Sequence, residues 1–260
     1  MVMPGTDTLL PIEESMRAVG RLGREPTALD AFDLFIGPGA QAHLSFALPR
    51  SPDPPHWELH VAALQKAFVQ RGRRPHLEYI EELHPTLAPA LEAAGLHCEM
   101  RAPVMILEMD RLSTEEPSAA AMRAGRYRRL DASDESFLKA MLLRQQIAYG
   151  MPADESAFGW LPMLRQGLRE RGAMGAVLEQ EGEPLAGAVI QIGAGVGELA
   201  GVWTAARLRK QGLAYALCRQ LLVDYAAMGY TLCWLSAAEG AQRLYEKLGF
   251  ITVGTQLNYG

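Results

Sequence analysis

The sequence has few of the residues that mark several classes of protein. Its 260 residues include three cysteines, Cys98, Cys218 and Cys233, an odd number without a Cys-x-x-Cys pair. This argues against a disulfide framework or a zinc finger and favours a reducing, cytoplasmic compartment. The most apolar long stretch, residues 185–204, is interrupted by glycines and by Glu198, so it does not predict a membrane helix. The N-terminus has no basic region followed by an apolar core, so no signal peptide is expected.

Positive charge is also limited. The chain has 25 basic and 30 acidic residues, and its net charge is -5 at pH 7. A long basic surface for nucleic acid is therefore not expected. Apolar residues make up 49% of the chain and charged residues 21%. This composition is typical of a globular protein and excludes disordered, collagen-like and coiled-coil chains.

The composition changes near the middle of the chain. Thirteen of the sixteen prolines lie at or before Pro117, and all six histidines lie at or before His97. Between the halves, residues 113–121 are small and polar, as in a linker. We therefore expect a first lobe over residues 1–112, a linker at 113–121 and a second domain over 122–260.

The second half alternates between strand and helix patterns. This order predicts a mixed α/β (α+β) fold in which helices cover one central sheet. Strands are expected at Glu198–Thr204 and Leu232–Leu235, and helices at Ser156–Arg171, Leu213–Met228 and Glu239–Leu248.

The first half has a related order of elements. When Gly95 is aligned with Gly249, an offset of 154 residues, strand 77–80 falls on 231–234 and the helix at Trp57 falls on that at Gln211. Strand Ala42–Leu48 then falls near Val196–Val202. Four elements at one offset predict two copies of one unit.

The chemically informative segment is Arg209-x-x-Gly212-x-Ala214, which lies between a strand and a helix. The first N–H groups of a helix have no internal partner and lie at the positive end of its dipole, so a phosphate is a natural ligand there. Gly212 allows the backbone to approach such a ligand closely. The alternative is an ordinary strand-to-helix turn with solvated basic residues.

A second segment, Leu-Tyr-Glu-Lys-Leu-Gly-Phe at 244–250, decides between these alternatives. Together the two segments resemble the GNAT superfamily of N-acetyltransferases, over about residues 126–258. The first is similar to the family's pyrophosphate loop, and the second to its late helix. The resemblance implies the GNAT acyl-CoA N-acyltransferase fold, in tandem if the first half is a copy.

The resemblance also implies where acetyl-CoA, the co-substrate, is held. Pantetheine enters between two strands that splay apart and pairs with the main chain of Val202, Trp203 and Thr204. An N–H group near Trp203 polarises the acetyl carbonyl. The pyrophosphate lies on the loop and first helical turn, formed by Arg209, Lys210, Gln211, Gly212, Leu213 and Ala214. No metal is implied.

Two side chains match the catalytic positions of the family. Glu198 lies eleven residues before Arg209, the position of the strand glutamate that acts as general base. Tyr245 matches the tyrosine that protonates the departing thiolate. A solvent-facing glutamate and a packing tyrosine are the alternatives. Ala238 replaces an asparagine that the family often carries near the cofactor.

The first half resembles a degenerate copy of the same fold. Pro55, Glu58 and His60 stand where the loop has Arg209, Gly212 and Ala214, and Leu91 stands where the late helix has Tyr245. Proline has no N–H and glutamate repels phosphate, so this copy is not expected to hold CoA.

These features predict an acetyl-CoA-dependent N-acetyltransferase that moves an acetyl group to a primary amine by direct attack in a ternary complex. The alternatives are a non-catalytic CoA-binding or scaffolding module, and a protein (N-terminal or lysine) acetyltransferase. The acceptor, a small amine or a protein amine, is expected near Tyr149, Met151, Phe158 and Trp160. Neither nucleic acid nor a membrane is expected as a partner, and a homodimer stays open.

Overall fold

A computed structural model describes residues 6–38, 44–50 and 54–260. The chain packs as two units, one made of Met1–Val104 and Thr252–Gly260 and the other of Met105–Ile251. The domain division expected from composition, with a linker at 113–121, stays a prediction.

Unit 1 takes most of its elements from the first part of the chain and one strand from the end. Its helices are α1 (Thr6–Gly20), α2 (Trp57–Gln70) and α3 (Leu87–Ala93); its strands are β1 (Glu25–Ala28), β2 (Phe32–Ile36), β3 (Phe46–Pro49), β4 (Leu77–Ile80), the first part of β5 (Cys98–Glu108) and β11 (Ile251–Tyr259). The strand order is β1-β2-β3-β4-β11-β5, in which β3 and β4 are parallel and β11 is antiparallel to β4. Helix α2 buries Trp57, Val61, Leu64 and Phe68, which recur every three or four residues and so lie on one face.

Unit 2 carries the segments that resemble an acetyltransferase. Its helices are α4 (Ala119–Ala124), α5 (Glu135–Ala148), α6 (Leu161–Glu170), α7 (Leu213–Ala227) and α8 (Gln242–Leu248); its strands are the end of β5 with β6 (Arg126–Arg129), β7 (Ala173–Gln180), β8 (Glu183–Gly193), β9 (Val196–Thr204) and β10 (Leu232–Ser236). The strand order is β5-β10-β9-β8-β7-β6, with β9 and β10 parallel. The mixed α/β fold expected from the sequence is therefore confirmed. In the part of the chain that the structure describes, no helix is long and apolar enough to cross a membrane.

One face of the unit 2 sheet is covered by α7 and α8, and the other by α5 and α6. The first core contains buried residues of α7, such as Leu217 and Leu221, with Leu199 of β9 and Leu235 of β10. The second contains Leu138 and Met141 of α5 with Trp203 of β9. Since side chains alternate along a strand, these two clusters show which way each strand residue points.

The repeat at an offset of 154 residues appears in the order of elements. The series β3-α2-β4-α3-β5 in the first half has the same order as β9-α7-β10-α8-β11 in the second. Backbone angles agree with this. His56 and Lys210 have φ values of 60° and 61°, and Gly95 and Gly249 have values of 81° and 107°. Strand β3 begins at Phe46 rather than Ala42, and residues 42 and 43 lie outside the described part of the chain.

Two helices begin later than their patterns predict. Residues Glu155–Trp160 form a 3₁₀ turn, and α6 begins only at Leu161, followed by Pro162, whose fixed φ suits the start of a helix. Helix α8 begins at Gln242 because Gly240, with a φ of 77°, interrupts the expected start at Glu239.

Strand β11 makes a testable contribution to unit 1. Leu257 is 1% exposed and packs in the unit 1 core, whereas Ile251 on the same strand is 49% exposed. We predict that Leu257→Ala lowers the free energy of unfolding by about 2–5 kcal/mol, because it removes buried methyl groups and leaves a cavity.

The matched control is Ile251→Ala, for which we expect a loss below about 1 kcal/mol because the side chain is half in water. Urea unfolding followed by circular dichroism measures both. Equal losses for the two variants would mean that β11 does not anchor the unit 1 core.

Candidate active site

Strands β9 and β10 are paired over a short length only. Their register joins Gly197 to Cys233 and Glu198 to Trp234, and pairing ends there. Strand β9 continues for six residues beyond Glu198, to Thr204, and β10 for two residues beyond Trp234. The carboxyl half of β9 therefore has an edge that β10 does not cover, and a gap begins between the strands.

Strand β9 changes direction next to this gap. Its register with β8 shifts between the pairs Gly187–Trp203 and Val189–Ala200, which is a β-bulge. Gly201 lies in the bulge with a φ of 60°, a conformation that favours glycine. Residues before and after the bulge thus point to faces that simple alternation does not predict: Leu199 joins the α7 core, and Trp203 joins the α5–α6 core.

The loop from β9 to α7 exposes main-chain N–H groups. Lys210 has a φ of 61°, and Gly212, the N-cap residue, has a φ of 85°. The first main-chain hydrogen bond of α7 runs from the Ala216 N–H to the Gly212 carbonyl, at 3.0 Å. The N–H groups of Leu213, Ala214 and Tyr215 thus precede the first helical donor, the Ala216 N–H, and lie at the positive end of the helix dipole. This is the geometry of an anion site.

The Arg209 side chain turns back onto the main chain. Its Nε donates to the Thr204 carbonyl at 3.3 Å, and its terminal nitrogen donates to the Ala148 carbonyl. Arg209 thereby ties the start of the loop to the end of β9 and to the end of α5. Its predicted contact with the cofactor stays a prediction.

Glu198 and Tyr245 approach the gap from opposite faces of the sheet. Leu199 belongs to the α7 core, and a side chain at Gly197 would meet Tyr225 of α7, so Glu198 between them points to the α5–α6 face. Tyr245 of α8 is 7% exposed and lies in the α7 core. The two predicted catalytic residues are therefore separated by the sheet, except where the strands part.

Burial is the main cause of the raised pKa of the Tyr245 phenol. It raises the pKa of the phenol well above its usual value, and nearby Cys218 and Tyr149 raise this pKa further. The ring packs edge-to-face on Phe250, with centroids 6.0 Å apart. The phenol therefore keeps its proton at neutral pH.

Three side chains near the gap belong to no sequence motif, and only one of them, Tyr149, is expected near the site from the sequence. Gln145 and Tyr149 of the α5 end donate to the carbonyls of Gly201 and Val202. Ser236 ends β10, and its buried Oγ has no hydrogen-bond partner among the residues that the structure describes. Because Leu235 and Ala237 belong to the α7 core, Ser236 points to the opposite face, as Glu198 does.

The segment expected to be a linker packs beside α7. The Tyr215 hydroxyl donates to the Glu115 carbonyl at 2.8 Å, and Arg219 donates to the Ser113 carbonyl at 3.1 Å. Ser118 caps α4 and lies near Gly212, since its Oγ would be 3.6 Å from a Cβ at that glycine. Residues 113–121 thus lie beside the loop between β9 and α7.

Over residues 6–38, 44–50 and 54–260, no group of three or more His, Cys, Asp or Glu side chains could hold a metal ion.

The sequence of this region matches a known family. Residues 138–250, which include β9, its loop, α7, β10 and α8, match the model of the acetyltransferase (GNAT) family. Over residues 138–250 the chain matches the GNAT family of acetyltransferases. Members of this family use acetyl-CoA. No curated protein matches the chain significantly.

Solved structures share the GNAT fold along nearly the whole chain. A GCN5-related N-acetyltransferase from Kribbella flavida is 24% identical, with a TM-score of 0.77, over 98% of this chain and 95% of that one. A GCN5-related N-acetyltransferase from Sphaerobacter thermophilus is 18% identical, with a TM-score of 0.60, over 88% and 76%. An acetyltransferase from the GNAT family of Novosphingobium aromaticivorans is 20% identical, with a TM-score of 0.58, over 96% and 98%. At these identities the likeness shows the fold.

Proposed function

We propose that unit 2 is an acetyl-CoA-dependent N-acetyltransferase that moves an acetyl group to a primary amine by direct attack in a ternary complex. One observation carries the proposal. The gap between β9 and β10 opens beside the free N–H groups at the start of α7, with Glu198 on one face of the sheet and Tyr245 on the other. The amine and the thioester can then approach each other through the gap from opposite faces.

The loop residues fit the anionic end of acetyl-CoA. The N–H groups of residues 210–214 and the α7 dipole would hold the pyrophosphate, and Gly212 leaves room for it. The uncovered edge of β9 at Val202–Thr204 would pair with the pantetheine amides, as an added strand does. Acetyl-CoA supplies the acyl group and the thiolate leaving group.

Glu198 serves the amine side of the reaction. As the amine nitrogen attacks the thioester carbon, Glu198 takes one of its protons, directly or through a water molecule. Ser236 points to the same face, and its unpartnered hydroxyl is a hydrogen-bonding group left for the acceptor. An N–H group near Trp203 is the proposed donor to the oxyanion.

Tyr245 serves the thiolate side. When the carbon–sulfur bond breaks, the electron pair goes to sulfur and the Tyr245 proton follows it. Burial raises the pKa of the phenol, but it raises the pKa of a neighbouring thiol as well, as it does for Cys218, to about 12. The transfer moves one negative charge from sulfur to oxygen, so desolvation does not by itself oppose it.

We propose that unit 1 does not bind CoA. Helix α2, the counterpart of α7, starts after His56 and carries Glu58 in its first turn. A backbone hydrogen bond is the largest cause that lowers the pKa of Glu58, and the neighbouring His56 lowers it further. The carboxylate is therefore ionised beside the N–H groups that a phosphate would need. The helix start therefore carries its own anion.

The acceptor is proposed to have an apolar part close to its amine. Ile147, Tyr149 and Met151, at the end of α5 and just after it, are each about half exposed. A cluster of exposed apolar side chains beside a reactive gap is typical of a binding surface. Both a small amine and a peptide amine satisfy this description. Thiol release from acetyl-CoA, screened over both kinds of amine, separates them.

We predict that Gly212→Glu weakens acetyl-CoA binding at least about tenfold. The new carboxylate would lie beside the N–H groups of the loop and repel the pyrophosphate, and φ at this position disfavours a side chain. Calorimetric titration with acetyl-CoA measures the affinity.

The control is Gly229→Glu, which introduces the same residue at a glycine of similar φ, 92°, at the other end of α7. Gly229→Glu should lose as much stability as Gly212→Glu, but its affinity for acetyl-CoA should equal that of the wild-type protein. Unchanged affinity in folded Gly212→Glu would contradict binding at this loop.

We predict that Tyr245→Phe lowers kcat by about 10²–10⁴-fold and leaves acetyl-CoA affinity nearly unchanged, because it removes the proton donor and keeps the ring. The rate of thiol release is measured with the best amine from the screen. Tyr127→Phe is the control, since that hydroxyl donates to Asp224 on α7, away from the gap. A kcat equal to that of the control would show that Tyr245 only packs.

A further inference from the structure

The open edge of β9 is occupied by side chains of the protein itself. The carbonyls of Gly201, Val202 and Thr204 accept hydrogen bonds from Gln145, Tyr149 and Arg209, each at 3.3 Å. These carbonyls lie along the segment whose main chain the pantetheine arm would use. An incoming arm must therefore compete with bonds that already exist.

Of the three donors, Tyr149 is the side chain that can most easily move away from β9. Arg209 also holds Ala148, and Gln145 lies within α5, but Tyr149 is the C-cap residue of α5 and is 50% exposed. Its hydroxyl is held by one further bond, which it accepts from Nε2 of Gln145 at 3.4 Å. Gly150 follows it with a φ of 78°. A surface phenol beside a glycine can rotate away from the strand without unpacking a core.

The Tyr149 hydroxyl also lies near the reacting end of the gap. It bonds the Val202 carbonyl, which lies on β9 beyond Glu198–Trp234, the last residue pair that β9 shares with β10. Tyr149 approaches from α5 on one face of the sheet, and Tyr245 from α8 on the other. The Tyr149 side chain therefore reaches the gap where the thioester must pass.

We propose that Tyr149 is a gate for the cofactor: its hydroxyl holds the Val202 carbonyl until the pantetheine arm displaces it, and the displaced ring then faces the acceptor side. This inference rests on the proposed function of unit 2, because it concerns the same gap. Partial desolvation of the phenol raises the pKa of Tyr149, so the hydroxyl keeps the proton that it donates to the strand at neutral pH.

The gate has a measurable cost. CoA binding exchanges the bond between Tyr149 and Val202 for one between the cofactor and Val202, and it also breaks the bond from Gln145 to the Tyr149 hydroxyl. Displacement of Tyr149 therefore lowers the affinity for CoA. A neutral hydrogen bond of this kind changes an equilibrium constant by about two- to tenfold. Removing the Tyr149 hydroxyl should therefore strengthen CoA binding, which is opposite to the effect of deleting a ligand contact.

Calorimetry of the full-length Tyr149→Phe variant tests this with two probes. The first is CoA, and the second is 3′-phosphoadenosine 5′-diphosphate, which keeps the pyrophosphate of CoA and lacks the pantetheine arm. We expect CoA affinity to rise about two- to tenfold and affinity for the nucleotide probe to stay unchanged. Tyr149→Leu should act in the same direction, and Tyr127→Phe should change neither affinity.

Unchanged or weaker CoA binding by both Tyr149 variants would overturn the gate. A parallel gain for the nucleotide probe would also overturn it, because the effect would not depend on the arm. If the wild-type protein binds neither probe, the proposed function itself fails, and that result is seen before any variant is compared. Thermal unfolding of each variant verifies that it is folded.

Discussion

The parting of two parallel strands is the constraint on which unit 2 depends. Strands β9 and β10 share two registered pairs and then separate, which leaves main-chain groups of β9 without a strand partner on one side. Buried main-chain groups rarely remain without a hydrogen bond. Here Gln145, Tyr149 and Arg209 supply donors to three carbonyls of that edge. Between this point and the start of α7, the backbone is irregular at two further places, the bulge at Gly201 and the loop at Lys210–Gly212, and all three named residues have positive φ values.

In the proposed reaction, the separation also serves as a passage between the two faces of the sheet. A direct acyl transfer needs a proton acceptor on the amine side and a proton donor on the thiolate side. Glu198 and Tyr245 lie on different faces, so a continuous sheet would keep them apart. The first half repeats part of this backbone geometry with different side chains. Strands β3 and β4 share a single registered pair, Ala47–Leu77, and His56 repeats the φ of Lys210, yet Glu58 places a carboxylate at the start of α2.

Local patterns predicted much of the unit 2 fold, and long-range contacts account for most of what they missed. The periodicity of α7 and the glycine at 249 are local signals, and the structure has both the helix and its left-handed cap. Helix α1 contains Pro11, a residue that argues against a helix in the sequence, so the helix is not predicted. The spacing of apolar residues in the 3₁₀ turn before α6 is also that of an α-helix, so the predicted helix begins too early. The pairing of β11 with β4 joins residues more than 170 positions apart, which no local pattern encodes. In the candidate site, the motif located the loop, but the turn of Arg209 towards two carbonyls and the positions of Tyr149 and Ser236 depend on tertiary packing.

The central claim is that one of two similar halves holds acetyl-CoA. Calorimetric titration of the full-length protein with acetyl-CoA tests it most directly, because the stoichiometry counts sites without knowledge of the acceptor. We predict one acetyl-CoA per chain, since the N–H groups at the start of α7 are available and those at the start of α2 lie beside Glu58. A stoichiometry of two, or no binding, would contradict this claim.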